Sequence, residues 1–239
     1  MRLLIDAGNT NIKLALVDGE HWRPVVNIPS NQAGDLSFAG YPDVQQVWVS
    51  NVAGSEVDRQ IKAACAVRHW MPQFITAQVD ACGVRNGYAL PAQLGSDRWA
   101  ALIAAWHHVG AACLVVGSGT ATTIDALSAG GEFIGGLILP GIELMQRSLT
   151  SATALLPAGG GHYMSFPHST ADALFSGAVQ ASCGAIQRQY ALLDMIGAPV
   201  LLSGGAAYLL SPHLNLPVQM VDNLVLQGLL LIAQEASKA

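Results

Sequence analysis

One short pattern occurs twice along this chain of 239 residues, and it constrains the possible fold more than any other feature. Residues 3–16 read LLIDAGNTNIKLAL, and residues 114–127 read LVVGSGTATTIDAL. Each segment has an apolar run, a small polar turn centred on Gly8 or Gly119, and a second run typical of a strand. The repeat predicts two similar half-domains, each opening with a β-hairpin. Because few residues are identical, chance similarity is the alternative.

Strand and helix patterns alternate along the rest of the chain. Further strands are predicted at Val47–Val49, Phe74–Ile75, Cys113–Val116, Gly136–Leu139 and Val200–Leu202. Helices are predicted at Glu56–Ala66, Asp97–His108, Ala171–Leu193 and Leu224–Glu235. This alternation favours an α/β architecture. Ser151–Ser169 lacks clear periodicity and is predicted to be a mobile loop.

Charged residues are scarce, which restricts the partners of the chain. The sequence holds 11 Lys and Arg against 16 Asp and Glu, a formal net charge of −5. This acidic balance argues against a nucleic-acid-binding protein. The lysines are Lys13, Lys62 and Lys238. Any anion site must therefore use backbone amides, hydroxyl groups and a few arginines.

The cysteines and the apolar stretches indicate a cytoplasmic protein. Cys65, Cys82, Cys113 and Cys183 show no metal-binding spacing and are interpreted as small core residues in a reducing compartment. The apolar stretch Trp99–Gly117 is long enough to span a bilayer, but it contains two histidines and a glycine near its middle. We interpret it as a buried helix, a turn and a strand, and we expect no membrane association.

Asp6-Ala7-Gly8-Asn9-Thr10-Asn11 directly follows a predicted strand. A carboxylate, a glycine that allows close approach and a run of donors suit a nucleoside triphosphate with Mg²⁺. The alternative is a hairpin turn whose polar side chains satisfy only the local backbone. The chain has no Gly-Lys dipeptide, which excludes a P-loop.

A second candidate phosphate site is the segment from Gly117 to Asp125, which offers two glycines and three threonine hydroxyls after a strand. A threonine-rich turn is the alternative.

A third candidate is Gly95-Ser96-Asp97-Arg98, at the start of a predicted helix. Asp97 suits a general base, and Arg98 suits a substrate carboxylate or phosphate. The structural alternative makes Ser96 the N-cap of the helix. All seven histidines are interpreted as non-catalytic.

Five segments in order resemble those of type III pantothenate kinase, a family that includes the Bvg accessory factors. They are IDAGNTNIK, NGYALPAQLGSDRW, GTATTID, GGLILPG and LLSGGAA, and the resemblance runs from Met1 to about Gly228. It implies an α/β fold of two actin-like (ribonuclease H-like) half-domains with mixed sheets flanked by helices. The expected domains are residues 1–112 and 113–239, with the last helix able to pack back on the first domain.

The resemblance also implies a reaction: ATP-dependent phosphorylation of pantothenate to 4′-phosphopantothenate, the first step of coenzyme A biosynthesis. Asp97 would be the proton acceptor, Asp6 would lie near Mg²⁺, and Mg-ATP would be held between the two hairpin turns. The implied ATP contacts are Asp6, Ala7, Gly8, Asn9, Thr10, Asn11, Ile12, Lys13, Thr120, Gly204 and Gly205. The implied pantothenate contacts are Tyr88, Gly95, Ser96, Asp97, Arg98 and Thr170. The family is dimeric, so a homodimer is expected.

The chain departs from the family pattern at Gly117, where many members have an aspartate that helps hold K⁺ or NH₄⁺. Gly117 offers no side chain, so we expect a dependence on a monovalent cation only if a backbone carbonyl or another carboxylate takes the place of that aspartate. Two other functions stay open. Another small-molecule kinase of the same superfamily would share the ATP segments, and a catalytically silent regulatory accessory protein would share the fold. The silent protein should have lost Asp6 or Asp97, but both are present.

Overall fold

The computed structural model describes residues 1–152 and 160–238, which form two compact units. Met1–His108 and the chain from Leu224 onward make up the first unit, and Val109–Asn223 make up the second. The chain thus crosses between the units twice; the expected domains have one boundary, between residues 112 and 113, with the last helix able to pack back on the first domain. The functional limits of the domains stay a prediction. Residues 153–159 of the predicted loop Ser151–Ser169 lie outside the described residues.

Strands and helices alternate as the sequence predicts. The strands are β1 (Arg2–Ala7), β2 (Asn11–Asp18), β3 (His21–Trp22), β4 (Val26–Pro29), β5 (Gln46–Asn51), β6 (Pro72–Phe74), β7 (Asp80–Ala81), β8 (Val84–Asn86), β9 (Cys113–Ser118), β10 (Ala121–Leu127), β11 (Glu132–Pro140), β12 (Val200–Ser203) and β13 (Val218–Met220). The α-helices are α1 (Ser55–Ala66), α2 (Ser96–Val109), α3 (Ile142–Ala152), α4 (Thr170–Leu193), α5 (Ala207–Leu210) and α6 (Leu224–Ala236). The mixture confirms the predicted α/β class.

The first unit is built on a mixed sheet in the order β3-β2-β1-β5-β6, with β4 also paired to β2. Strand β1 is antiparallel to β2 and parallel to β5. Leu3 and Ile5 of β1 pack on one face with Ile61 of α1. Leu4 and the next strand's Trp48 pack on the opposite face, against α6. Alternation along β1 therefore buries both faces of the sheet.

The second unit repeats this arrangement with strands in the order β13-β12-β9-β10-β11. Its first strand, β9, is antiparallel to β10 and parallel to β12, as β1 is to β2 and β5. Leu114, Val116 and Ile124 pack against Val179 and Ile186 of α4. The two hairpins therefore occupy equivalent positions, which confirms the prediction of similar half-domains made from the repeat.

Most predicted elements are present within a few residues of their predicted limits. The apolar stretch Trp99–Gly117 divides into most of α2, a turn and most of β9, as expected. Within residues 1–152 and 160–238, every helix is too short or too polar to cross a bilayer. The sequence did not indicate α3, α5 or the short strands β3, β4, β7, β8 and β13.

Candidate active site

The turn between β1 and β2 is closed and braced by hydrogen bonds. The N–H of Gly8 donates to the carbonyl of Asn11 at 3.0 Å. Ser30 holds the turn from outside, because its hydroxyl donates to the carbonyl of Gly8 at 2.6 Å and its N–H donates to the carbonyl of Thr10 at 2.9 Å. Asn9, Thr10 and Asn11 are exposed. The turn is therefore a fixed support for exposed polar groups.

Two members of the predicted ATP segment point into the fold instead. Ala7 and Ile12 are fully buried in the core of the first unit. Their side chains contact other core residues, so only their backbone groups are available to a nucleotide. Their place in the motif reflects strand packing.

Asp6 lies beside the turn, opposite Lys13 of β2 and Ser50 of β5 in the strand register. Burial raises the pKa of its carboxyl from 3.8 to about 7, although the charge of Lys13 opposes the shift, and the negative charge of Asp97 raises the pKa further. Asp6 and Asp97 are therefore close enough to interact electrostatically. A pair of interacting carboxyl groups, one of them with a raised pKa, is typical of a functional site.

Asp97 is held in the first turn of α2. Its Oδ1 accepts a hydrogen bond from the N–H of Arg98 at 2.8 Å. A Cβ atom on Gly95 would lie only 2.6 Å from the same oxygen. Gly95 thus leaves the space that the Asp97 carboxyl occupies, and its carbonyl accepts the N–H of Trp99 at 2.9 Å. The orientation of the carboxyl is fixed by its neighbours in the chain.

The structural alternative, in which the Ser96 side chain is the N-cap of this helix, does not hold. Helix α2 begins at Ser96, and Gly95 precedes it. The Ser96 hydroxyl lies 2.9 Å from the hydroxyl of Ser50, and both residues are buried. The side chain therefore bonds to the sheet instead of to the helix terminus. Sequence reasoning also missed Ser50, because its partner lies 46 residues away along the chain.

Tyr88 and Arg98 are brought together beside this helix. The Arg98 guanidinium is buried and donates to the Tyr88 hydroxyl at 3.2 Å. Asn86, which the sequence analysis did not identify, braces the loop that carries Tyr88. Its side chain accepts the Tyr88 N–H at 3.0 Å and donates to the carbonyl of Pro91 at 3.2 Å. The first unit thus contains all the predicted substrate residues except Thr170.

The turn between β9 and β10 lies in the second unit. The Gly119 N–H donates to the carbonyl of Ala121 at 3.0 Å, and the Gly141 N–H donates to the carbonyl of Thr120 at 2.9 Å. Thr120 is exposed. The expectation of three available threonine hydroxyls is wrong, because Thr122 is fully buried on the strand face that packs against the core. Thr120 and the exposed backbone remain as the polar surface of this turn.

Three other predicted residues also lie in the second unit. Gly204 has a φ of 104°, and a Cβ there would collide with the carbonyl of Ser118. Gly205 has open space around it. Thr170 is the exposed first residue of α4 and lines a groove between α3 and α4. A Cβ on Gly117 would lie 2.9 Å from the hydroxyl oxygen of Thr123.

The predicted burial of the cysteines holds for Cys65, Cys113 and Cys183, but the prediction for Cys82 is wrong. Cys82 is partly exposed in the turn between β7 and β8, and its N–H donates to the carboxylate of Glu235 at 3.0 Å. In the described part of the chain, no three or more His, Cys, Asp or Glu residues form a group suited to a metal ion.

Sequence comparison identifies close relatives of the chain. The family model for type III pantothenate kinase matches residues 2–192. A type III pantothenate kinase from Aromatoleum aromaticum is 47% identical over 243 residues, covering 100% of both chains. One from Nitrosospira multiformis is 48% identical over 241 residues, covering 99% of this chain and 92% of the relative.

Solved structures support the fold. A Campylobacter jejuni protein described as a Baf family transcriptional activator aligns with a TM-score of 0.65 at 21% identity, covering 99% of this chain and 100% of the other. A protein from Sinorhizobium meliloti described as a 2-dehydro-3-deoxygalactonokinase aligns with a TM-score of 0.60 at 14% identity, covering 98% of each. At these identities the likeness concerns the fold alone, and it confirms the actin-like class. By its sequence, the chain belongs to the type III pantothenate kinase family.

Proposed function

We propose that the chain transfers the γ-phosphoryl group of ATP to the primary hydroxyl of pantothenate, giving 4′-phosphopantothenate and ADP in the first step of coenzyme A biosynthesis. The observation that carries the proposal is the placement of Asp6 and Asp97 near each other in the first unit: Ser50 lies opposite Asp6 in the strand register, and its hydroxyl is 2.9 Å from that of Ser96, the residue before Asp97. Relatives that match 100% and 99% of this chain carry the name type III pantothenate kinase, which supports the proposal. Phosphoryl transfer requires a positioned carboxylate beside the nucleophile and a second group near the phosphates.

Asp97 is the proton acceptor in this proposal. Its Oδ1 is oriented by the N–H of Arg98, and its Oδ2 takes the proton from the pantothenate hydroxyl. The hydroxyl oxygen forms a bond to the γ-phosphorus as the bond to the bridging oxygen breaks. The electron pair of the broken bond remains on ADP. A fixed carboxylate serves this step because it is already oriented when the nucleophile arrives.

The chain's oxygen donors fit Mg²⁺. Magnesium prefers carboxylate and phosphate oxygens and often uses only one or two carboxylates. Asp6 provides one such ligand at the end of β1, beside an exposed polar turn. Bound Mg²⁺ would neutralise charge on the phosphoryl oxygens. Its positive charge would also favour the ionised form of Asp6, whose pKa is raised in the protein alone.

ATP would be contacted through neutral donors. In the first unit these are the groups of the Gly8–Asn11 turn, beside which Lys13 adds one positive charge, and in the second unit they are Thr120 and the backbone around Gly119. Gly204 and Gly205 are proposed as adenosine contacts. Backbone amides that are already fixed stabilise developing negative charge without reorganisation. This suits a chain with three lysines.

Pantothenate would lie against Tyr88 and the Gly95–Arg98 segment, with Thr170 as an additional contact. Arg98 is a buried cation whose position is fixed by its hydrogen bond to Tyr88. Such a group can attract the pantothenate carboxylate through charge and orient it through Tyr88.

We also propose that the protein is cytoplasmic and forms a homodimer. Light scattering of the purified protein would test the dimer.

A substrate panel tests the proposal. The purified chain is incubated with ATP and Mg²⁺ and with pantothenate, N-acetylmannosamine, N-acetylglucosamine, glucose or acetate, and ADP formation is measured. We expect ADP to form only in the reaction that contains pantothenate. Preferential turnover of a sugar or acetate would favour the other kinases of the superfamily. The absence of turnover with every substrate would favour a silent accessory protein.

A further inference from the structure

The buried pair of hydroxyl groups formed by Ser50 and Ser96 links the sheet to helix α2. Their oxygens are 2.9 Å apart, and their exposed fractions are 0% and 8%. Ser50 lies near the end of β5, in register with Asp6 of β1. Ser96 is the first residue of α2 and directly precedes Asp97. The bond thus joins the strand position beside Asp6 to the residue beside Asp97.

Helix α2 is also fixed at a second point. Gly228 of α6 packs so close to the helix that a Cβ atom there would collide with the carbonyl of Ala100. This contact lies one turn after Asp97 and restricts the body of the helix. The Ser50–Ser96 bond holds the first turn, where hydrogen bonding within a helix is incomplete. The first turn would have more freedom without this bond.

We propose that the Ser50–Ser96 hydroxyl pair is a positioning device that holds the Asp97 carboxylate at a fixed distance from the reacting groups. The inference rests on the proposed function, in which Asp97 accepts the substrate proton. Ser50 and Ser96 act through Asp97, because their hydroxyls are buried and bonded to each other. The side chain of Ser96 then serves the helix position, and only its backbone is left for the substrate.

A positioning role predicts a change in turnover with little change in substrate binding. Ser50→Ala and Ser96→Ala should each lower kcat by about tenfold to a hundredfold, the range for a small misplacement of a catalytic group. KM for pantothenate and for ATP should change less than about twofold, because both substitutions keep the backbone of Ser96, the only part of that residue left for the substrate. The double variant should lower kcat no more than the stronger single variant, since both substitutions break the same bond.

Ser182→Ala is the matched control. Ser182 is fully buried in α4, and its hydroxyl donates to the carbonyl of Ala178 at 3.0 Å in the second unit. The chemical change and the burial are the same, but the bond does not connect to α2. Its kcat should equal that of the wild type. Ser96→Thr, which keeps the hydroxyl, should recover most of the turnover lost in Ser96→Ala.

Hydrogen exchange of the peptide containing residues 95–100 gives a readout that does not depend on the reaction. Ser50→Ala should exchange this peptide severalfold faster than the wild type, and Ser182→Ala should not. Unchanged exchange, additive losses of kcat, or losses no larger than those in Ser182→Ala would overturn the inference. A wild-type protein that does not phosphorylate pantothenate would contradict the proposed function, whereas the exchange result would still decide whether the pair fixes α2.

Discussion

Asp97 is the residue on which the proposed chemistry depends most. Replacing it with Asn keeps the size and the hydrogen bond to the Arg98 N–H but removes the group that takes the proton. We expect Asp97→Asn to lower kcat by about a hundredfold or more, the usual range for loss of a general base. Steady-state kinetics with pantothenate checks this expectation, and circular dichroism controls for the fold. Turnover close to the wild-type value would remove Asp97 from the mechanism.

Asp6 makes the stability of the protein depend on pH. Its pKa is 3.8 in the unfolded chain and about 7 in the folded protein, so the folded state holds a proton that the unfolded state releases. The stability contributed by protonated Asp6 is complete below about pH 4 and is lost as the pH rises to 7. Without Mg²⁺ and ATP, Asp6→Asn should therefore gain stability relative to wild type between pH 4 and pH 8. The gain should be a few kcal/mol, at about 1.4 kcal/mol for each pKa unit.

Urea unfolding of both proteins at several pH values measures this difference. Parallel stability profiles would show that the pKa of Asp6 is not perturbed.

The same pKa predicts that the Mg²⁺ concentration for half-maximal activity rises as the pH falls below about 7, because a metal binds the ionised carboxylate. A Mg²⁺ requirement that is the same at pH 6 and pH 8 would count against Asp6 as a ligand.

The prediction about a monovalent cation depends on Gly117. It has no side chain, and the Thr123 hydroxyl lies 2.9 Å from the position that a Cβ would take. We expect full activity when K⁺ and NH₄⁺ are replaced by tetramethylammonium at equal ionic strength. A collapse of activity that K⁺ restores would show that other groups of the chain hold the cation.

Among the candidate site residues, the charged ones stand out in the sequence more than their neutral neighbours do. Asp6, Asp97 and Arg98 are charges within apolar surroundings, which is visible in a sequence of such low charge content. The roles of Ser50, Ser96 and Thr122 depend on which face of a strand or helix meets which neighbour. Their hydroxyls bond or pack across elements distant in sequence, and no local pattern records such contacts.

At the scale of elements, the two hairpins were predictable because each has two apolar strands around a glycine-containing turn. Helix α3 was not predicted. Among its 11 residues only Ile142 is buried, so the periodic apolar pattern that marks a packed helix is weak there. The strands β7 and β8 have two and three residues, which is too short for a period-two pattern.

The close packing of α6 on α2 predicts a stability difference between two glycines. Gly228→Ala places a methyl group against the carbonyl of Ala100 and should destabilise the protein by about 1–3 kcal/mol. Gly184→Ala in the exposed part of α4 is the control, because a Cβ there meets nothing within 4 Å. It should stabilise by about 0.5–1 kcal/mol. Equal effects of the two variants on the urea midpoint would contradict the close approach.

At the scale of the whole molecule, one strand arrangement is built twice. The orders β3-β2-β1-β5-β6 and β11-β10-β9-β12-β13 correspond strand by strand. The fold class was predictable because the repeated hairpin survives in the sequence. The return of the chain to the first unit was expected only as what the family resemblance implies, since it depends on the C-terminal helix α6 packing against β1 and β5 at the other end of the chain.

The low charge content of the chain can be related to the way it would bind a nucleotide. A chain with a net charge of −5 and three lysines can bind a nucleotide if fixed turns supply backbone donors and a carboxylate recruits the metal. Both turns are held by hydrogen bonds from other elements, from Ser30 in the first unit and from Gly141 in the second. Low charge is therefore compatible with the proposed ATP-dependent kinase.

The most direct test of the account is mass-spectrometric detection of 4′-phosphopantothenate from ATP, Mg²⁺ and pantothenate, with wild type and Asp97→Asn compared at equal concentration. We predict one equivalent of phosphopantothenate for each ADP formed by the wild type, and a rate at least about a hundredfold lower for the variant. ADP formation without phosphopantothenate, or equal rates for the two proteins, would contradict the account.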